Sequence, residues 1–514
     1  MELHFWDESF QIAYFSVIRL VTERVWNFGV RSKKNSCSRR PIWMLLLTML
    51  LVPFAQVPLN PNSRGGDTAA LYDLLERILP GERRCFTFEV VNATTSKDDT
   101  VHVVALNGSV VIKGTGTNEL AAGLGFYLRE HCSAVIGWPR GGGSRILKPA
   151  GGWPDVVVEK KRIVPWSYAM NVCTHSYSLV WYSWEEWQTF IDWMALSGIN
   201  NFLAETGQEE IAWKVFTKLG VKDQTIRSWF NGPALLTWSR GQNEYGGNIA
   251  GPLPRSFMKA QWNLQKQILN RTRALGMVGQ LPAFQAAIPS ALKYMLNDTN
   301  ATDNKQGTAW LDALDPLFLK IADLWMNTML EDFGTDHWYQ LDGYFNGGTA
   351  PWYEDDAKEE GEGENTLAVA AVTAGSEYKP PPTPPPTLPP HDPSWKVRGA
   401  KAWASLSRTD PDAVWSYQGW AILNADSARD MMHGFISAVP KGRFSIIDMA
   451  YDGRGEWRQE VKYTNGTIDS DFSPNFIWWV RVCAQDCFCV CAPALAVAVC
   501  RWFQPNCCLR SFSP

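Results

Sequence analysis

From about residue 67 onward, apolar positions fall alternately at helical and at strand spacing. The stretch Asn171 to Trp213, NVCTHSYSLVWYSWEEWQTFIDWMALSGINNFLAETGQEEIAW, shows the repeating unit in full. Trp184, Trp187, Ile191 and Met194 recur at helical spacing and predict one apolar helix face. Ser183 followed by Glu186 forms a capping box at its start, where the hydroxyl meets a free amide and the carboxylate reaches back. Gly198 ends the helix, since glycine takes the left-handed terminal conformation without steric cost. Ile199 to Ala204 is a short apolar run that predicts a strand, and Gly207 opens the next helix. The stretch therefore reads as strand end, loop, helix, strand, loop, helix: one β/α unit with polar and aromatic groups at the strand ends.

The same alternation runs from Arg162 to about residue 480. Strand-like runs recur at Trp166–Cys173, Asn200–Ala204, Met277–Phe284, His337–Phe345, Ala413–Trp420, Arg443–Ala450 and Phe476–Val480. Helical patterns lie between most of them, among them Ser256 to Leu275, stopped by Gly276, and Pro316 to Phe333, stopped by Gly334. Alternating strands and helices imply a parallel sheet, and eight such units close a barrel. The predicted class is α/β: a (β/α)8-type TIM barrel over residues 160–480, incomplete at about seven strands, preceded by a small α/β domain over residues 64–158. In the small domain, helices are predicted from Ala69 to Leu79 and from about Asn118 to Arg129. Its strand-like runs are Cys85–Val91, Val101–Ala105 and Ser109–Lys113. Gly114-Thr-Gly116 imitates part of a dinucleotide fingerprint, but Glu119 stands where the third glycine belongs, so it reads as a plain strand-to-helix turn. Residues 353–394 interrupt the barrel with an acidic run and then a Pro-rich run, KPPPTPPPTLPPH, read as an exposed extended loop.

Composition narrows the function classes. A net charge of −4 leaves no general basic face for nucleic acid. The 26 Trp are core residues by default, although aromatic faces also stack on sugars. The 11 Cys show no paired C-x2-C spacing, and seven of them crowd the last 32 residues. The seven His show neither H-x-H nor H-E-x-x-H, so no metal site is expected, and the Gly patterns suggest no nucleotide or phosphate cofactor. Within residues 1–60, a basic segment precedes the apolar run from Met44 to Ala55, which fits the core of a cleaved signal peptide; a signal anchor is the alternative. N-x-S/T sequons at Asn92, Asn107, Asn270, Asn297, Asn300 and Asn465 accompany it and point to a secreted or lysosomal glycoprotein.

Collinear blocks carry a more specific signal. Asn171 to Ser178 (NVCTHSYS), Ile191 to Asn200 (IDWMALSGIN), Gly207-Gln208-Glu209, Gly232-Pro233-Ala234 and Gly251 to Pro254 resemble the alpha-N-acetylglucosaminidases, glycoside hydrolases of family 89. Leu281 to Phe284, Phe333 to His337 (FGTDH) and Gln418-Gly419-Trp420 extend the resemblance, which covers roughly Asp67 to Trp479. It implies an exo-acting hydrolase that removes terminal alpha-linked N-acetylglucosamine from a heparan sulfate-like glycosaminoglycan by a retaining mechanism, without a cofactor. Residues 481–514, Cys-rich and apolar, resemble nothing in the family; the rest of the barrel and a helical C-terminal domain are expected in their place. A misread exon boundary or a truncated gene model is the simplest explanation, and a genuine Cys-rich tail is the alternative.

The resemblance also assigns site residues. Retaining glycosidases use two carboxyl groups about 5–5.5 Å apart, one as acid and one as nucleophile. The family's acid follows a Phe-Asn at a strand end; here Phe345-Asn346 is followed by Gly347, which has no proton to give. Asp342 and Glu354 are the nearby alternatives, a truly absent acid is another, and a shift of placement around the double glycine is a third. Asp452 falls where the nucleophilic Glu belongs, one methylene short, with Glu456 as a further candidate. Asn171 and Cys173 match positions lining the sugar pocket, while an ordinary buried Cys is the other reading of Cys173. Trp420 and Trp352 are candidate stacking residues, Asn346 a candidate substrate contact, and Gln208 and Glu209 either line the site or cap a helix. Without the carboxyl acid, the chain reads as a catalytically inactive sugar-binding homologue.

Overall fold

Local signals set where the elements of the chain begin and end. At Ser183 the capping box is complete: the hydroxyl accepts from the Glu186 amide at 3.4 Å, and the Glu186 carboxylate accepts from the Ser183 amide at 2.9 Å. Gly198, Gly276 and Gly334 follow helix ends at positive φ. Gly207, at φ +78°, starts a helix where an added Cβ would lie 2.8 Å from the Trp262 backbone. The computed structural model describes residues 67–91, 99–137, 143–162, 166–170, 172–177, 179–243, 245–246, 248, 250–295, 301–303, 307–341, 393–418, 434–440 and 442–447.

The small α/β domain comprises helix α1 (Ala69–Ile78), strands β1 (Phe86–Val90), β2 (Thr100–Leu106) and β3 (Ser109–Gly114), helix α2 (Thr117–His131) and strand β4 (Val156–Lys161). The sheet order is β1-β3-β2-β4, with β1 parallel to β3 and the other pairs antiparallel. β4 is absent from the sequence reading, although its residues alternate half-buried and exposed as an edge strand should. The turn after β3 is a plain strand-to-helix turn: Glu119, in the first turn of α2, is buried against Arg162, whose guanidinium also reaches Asn118 and the Gly198 carbonyl.

The rest is a parallel sheet with helices on its outer side. The elements are β5 (Tyr168–Ala169), α3 (Val172–Tyr177), α4 (Trp184–Leu196), β6 (Asn201–Leu203), α5 (Gln208–Lys218), α6 (Asp223–Trp229), α7 (Leu236–Arg240), α8 (Arg255–Ala274) and β7 (Val278–Pro282). They continue with β8 (Ala287–Pro289), α9 (Ser290–Met295), β9 (Ala301–Asp303), β10 (Thr308–Leu311), α10 (Pro316–Phe333), β11 (Trp338–Gln340), α11 (Ser394–Ser407), β12 (Val414–Gln418) and β13 (Phe444–Ile447). Strands β5, β6, β7, β11, β12 and β13 lie side by side in chain order, every pair parallel, as the first six strands of a (β/α)8 barrel do. The seventh expected strand, Phe476–Val480, lies outside the described residues, as do the 353–392 part of the insertion and the tail from 481.

Three differences from the sequence reading lie around the strand ends. The first barrel strand is Tyr168–Ala169 rather than Trp166–Cys173, because Met170 takes φ +74° and turns the chain out of the sheet. From Val172 the chain forms the short helix α3 rather than a loop, and this helix therefore carries Cys173. A separate antiparallel sheet, β8-β10-β9, comes after β7 and is likewise absent from the sequence reading; Ala286 at φ +84° redirects the chain into it.

Helix α2 of the small domain packs against barrel helix α4. Gly125 permits the approach: an added Cβ would lie 1.9 Å from the Leu196 carbonyl oxygen. Arg77 of α1 adds a two-pronged ion pair to Asp192 of α4, which also accepts from Arg271 of α8.

Candidate active-site face of the barrel

Strand register decides which side chains point into the barrel. Paired residues share a face, so Tyr168↔Asn201↔Val278, Leu203↔Gln280, Pro282↔Gln340↔Ser416↔Ser445, Trp338↔Val414 and Gln418↔Ile447 define one face. Ala169, Phe202, Leu281, Tyr339, Trp415 and Phe444, on the other face, belong to the main apolar core with the outer helices. The inward face is layered along its length. Near the strand starts, Trp166, Val278, Trp338 and Val414 form an apolar cluster. Above it Asn201, Gln280, Gln340 and Ser416 make a polar layer, in which Gln280 donates to Asn201 Oδ1 at 2.8 Å. Gln280 Oε1 and Ser416 Oγ are buried with no hydrogen-bond partner among the described residues. At the strand ends Tyr168, Leu203 and Ile447 meet Val172 and Cys173, with Trp238 packed against them. Tyr168 and Ile447 stand on the two edge strands, so the sheet curls until its edges share one cluster.

In a β/α barrel the strand C-termini bear the site. Here one segment, 231–243, binds together the ends of the first three strands. The Thr237 amide donates to Ser176 Oγ at 3.1 Å, and Thr237 Oγ1 lies 2.5 Å from the Val172 carbonyl oxygen. The same hydroxyl contacts Glu205 Oε1, two residues beyond β6. Gln242 donates to the Ala283 carbonyl at 2.6 Å and accepts from the Gln285 amide at 2.8 Å, at the end of β7. Arg240 holds Glu209 through two hydrogen bonds of 2.8 and 2.9 Å, both partners almost wholly buried. Glu209 is thus committed to an ion pair rather than to capping its helix, and Gln208 is buried beside it.

His175 of α3 is buried with Nε2 3.0 Å from the Leu203 carbonyl oxygen. Burial, and next the Arg240 charge, push its pKa down to about 3 despite that hydrogen bond. The ring is therefore neutral at ordinary pH, and Nε2 carries the proton it donates to Leu203.

Of the residues singled out from sequence, Gln208, Glu209 and Cys173 lie in the described part; Cys173 is buried on α3 within the rim cluster, which gives it a packing role in addition to any contact with a ligand. Asn171, Asp342, Asn346, Gly347, Trp352, Glu354, Trp420, Asp452 and Glu456 lie outside the described residues. Glu205, Thr237, Gln242, Gln280 and His175 escape the sequence reading. The signal for Glu205 is parity: Asn201 and Leu203 point inward, so residue 205 continues that face. Among the described residues no group of three or more His, Cys, Asp and Glu side chains is placed to hold a metal, and no helix is long and apolar enough to cross a membrane.

Comparison with known proteins matches residues 167–371 and 389–468 to the alpha-N-acetylglucosaminidase TIM-barrel domain, and residues 69–154 to the N-terminal domain of the same proteins. Human alpha-N-acetylglucosaminidase is 31% identical over 405 residues, which cover 74% of this chain and 48% of the relative. The chain thus spans about half the length of that curated relative. A family 89 glycoside hydrolase from Clostridium perfringens, solved with its substrate GlcNAc-alpha-1,4-galactose, superposes at a TM-score of 0.62 with 20% identity, covering 84% of this chain and 44% of that one. The complex of the clostridial family 89 enzyme with PUGNAc gives the same TM-score at 21% identity and the same coverage.

Proposed function

Because the chain belongs to the alpha-N-acetylglucosaminidase family, we propose that its barrel serves an exo-glycosidase that hydrolyses terminal alpha-linked N-acetylglucosamine. The observation that carries this reading is the family match across the barrel strands, whose ends here form a polar, interlocked rim. Amide side chains suit such a substrate, since each offers both a donor and an acceptor to a sugar hydroxyl. The clostridial relative's substrate has an alpha-linked GlcNAc, which supports the linkage. A glycosaminoglycan of the heparan sulfate kind is the natural substrate in this reading, and a lysosomal or secreted glycoprotein the natural setting. No cofactor enters.

The chemistry proposed is retaining. One carboxyl group attacks the anomeric carbon while another protonates the leaving oxygen, and water then releases the sugar with the second group acting as base. Asp452 is the proposed nucleophile; Glu354 or Asp342 supplies the acid that Gly347 cannot. Asn171, Cys173, Asn346, Trp352 and Trp420 are proposed to contact the sugar. The proposed division of labour is a small domain over 64–158 and a glycosidase barrel over 160–480. Release of the aryl group from an aryl alpha-N-acetylglucosaminide, with the first-formed sugar anomer followed by NMR, tests the reading. Retention of the alpha anomer is expected, and an initial beta anomer would overturn the mechanism.

Gly347 in the acid's place favours a second reading, a barrel that binds the sugar without cleaving it. GlcNAc binding in calorimetry with no aryl-glycoside hydrolysis would select it. Under either reading Asn171→Ala is expected to weaken GlcNAc binding while leaving the thermal transition in place.

A further inference from the structure

The sheet of the small domain has a second face that its apolar core does not use. Strand pairing puts Phe86, Phe88, Val103, Ala105, Val110 and Ile112 on one face, and all of them belong to the main core. The residues between them, Thr87↔Val111↔Val104↔Val157, make a row across the other face. Three of the four are valines, and none of the three packs with any of the apolar clusters. Val157 is 70% exposed, and Leu106, two residues beyond Val104 and so on the same face, is 48% exposed. A polar row, Glu89↔Lys113↔His102↔Glu159, bounds the valines on one side, and in it Lys113 bridges to Glu89 at 2.7 Å.

On its other side the valine row is bounded by the hairpin that joins β2 to β3. The turn is Asn107-Gly108, with φ of +53° and +81°, the left-handed pair that a two-residue hairpin favours and that Asn and Gly tolerate best. The Asn107 amide donates to Asp155 Oδ1 at 2.9 Å, which ties the turn to the segment leading into β4. Asn107-Gly108-Ser109 is a sequon, and all three of its residues are exposed. Asn270, the other sequon asparagine among the described residues, sits differently. It is exposed within α8, but its partner Thr272 is wholly buried and donates its hydroxyl to the Ile268 carbonyl.

We propose that Asn107 carries an N-linked glycan whose first sugars lie over the valine row. The step is transfer of an oligosaccharide from a polyprenyl pyrophosphate carrier. A bond forms between Asn107 Nδ2 and the anomeric carbon, and the bond from that carbon to the pyrophosphate oxygen breaks. The carrier leaves as its pyrophosphate, and the amide gives up one proton. Sugar rings suit this surface, because their C–H faces are apolar while their hydroxyls meet water and the polar row. An exposed apolar patch rimmed by polar residues marks a place where something binds, and here the attachment point stands at the edge of the patch. The proposal rests on the secreted or lysosomal setting given above and is independent of the hydrolase activity.

Glycopeptide mass spectrometry of the full chain, recovered from the secretory pathway of cultured animal cells, tests the attachment. An oligosaccharide is expected on the peptide bearing Asn107 in wild type, lost in Ser109→Ala, which leaves the Asn-Gly turn as it is, and kept in Ser109→Thr. Asn107 bare while another sequon is occupied would overturn the proposal alone. No sugar on any sequon would sink the secretory setting and the proposal with it. Hydroxyl-radical footprinting of the same proteins tests the cover. Labelling of Val157 and Leu106 is expected to rise about twofold in Ser109→Ala, as uncovering half of their exposed surface requires, while Leu235, exposed on the barrel, stays unchanged. Removing the glycan from folded wild type with a peptide N-glycosidase gives the same comparison if the variant does not fold. Equal labelling with and without the glycan would mean that the sugar points away from the sheet, and would overturn the cover.

Discussion

The two ends of the same six barrel strands are built on opposite terms. At the N-terminal end the inward side chains are apolar, and the charges around them are paired. Arg162 is locked onto Glu119 and Asn118, Arg273 onto Asp336 at 2.7 Å, and Asp410 accepts from Tyr339, Thr335 and His337 at 2.6 to 2.9 Å. Farther along the strands, above those apolar side chains, amide and hydroxyl side chains point inward, and Gln280 Oε1 and Ser416 Oγ have no hydrogen-bond partner among the described residues, as Trp166 Nε1, Glu119 Oε2 and Arg273 Nη2 have none at the other end. The contrast is the physical form of a general rule for these barrels, that one end secures the fold and the other carries the chemistry. It can be broken by mutation, because the same class of substitution should have different consequences at the two ends.

The largest effect is expected at Arg162. Its side chain and that of Glu119 are almost wholly buried, and it joins the small domain to the start of the barrel through Asn118 and the Gly198 carbonyl. Burial pushes the Glu119 carboxyl above its usual range, and Arg162 opposes that rise. Arg162→Met would strand a carboxyl that must then take up a proton, at a cost of about 3–5 kcal/mol. Chemical denaturation at neutral pH measures it. A loss near zero would mean that the N-terminal end is not where stability resides.

Asp410→Ala comes next, at about 3 kcal/mol, since a buried tyrosine hydroxyl loses its carboxylate acceptor. The pH dependence of the wild type checks the same group. Burial alone would raise the Asp410 pKa, but the hydrogen bonds from Tyr339 and His337, the His337 charge and the Thr335 hydroxyl outweigh it and hold it low. The unfolded chain therefore binds the proton more readily. The contribution is present above the unfolded value of about 4 and is lost as pH falls from there toward the lowered folded value. In Asp410→Ala that portion of the acid limb of the stability curve should flatten.

His175 carries the comparison to the other end. Its folded pKa is about 3, well below the unfolded imidazole, which takes up a proton near pH 6.5. Between those values the unfolded state binds more protons, so stability falls as pH drops through that window. At about pH 4.5 the cost is roughly 2–3 kcal/mol relative to neutral pH. His175→Gln removes the titration, and its stability profile should be flatter than wild type across that range. Parallel profiles for the two proteins would show that the ring is protonated in the fold.

The elements themselves are largely legible in the sequence, for reasons that are local. A capping box at Ser183, terminal glycines at 198, 276 and 334, and apolar runs of strand length each act within a few residues. Six of the seven expected strands appear in order, and the fold class with its preceding small domain holds. The first strand reads as too long because nothing in Tyr168 to Tyr177 announces the positive φ at Met170, and α3 is too short for an apolar period to emerge. The rim is not legible at all. Thr237 meets Val172 across 65 residues, Gln242 meets Ala283 across 41, and Arg240 meets Glu209 across 31. Such partners leave no pattern in a window of chain. The resemblance supplies site residues instead, and of those Cys173 is placed by the structure in the rim cluster.

The smallest effect is the sharpest test of the contrast. Ser416 is wholly buried on the inward face of β12, paired in register with Gln340 and Ser445, and its Oγ has no hydrogen-bond partner among the described residues. Removing an unsatisfied buried hydroxyl relieves a desolvation cost while opening little space. Ser416→Ala is therefore expected to change stability by less than about 1 kcal/mol, and toward greater stability. If the polar layer belongs to the ligand-binding end, the same variant should weaken GlcNAc binding in calorimetry by about threefold, the scale of one hydrogen bond. A loss of about 2 kcal/mol or more in stability would place Ser416 with Asp410, as part of what holds the barrel together. The division between the two ends would then lie higher along the strands than the apolar cluster of Trp166, Val278, Trp338 and Val414 marks it.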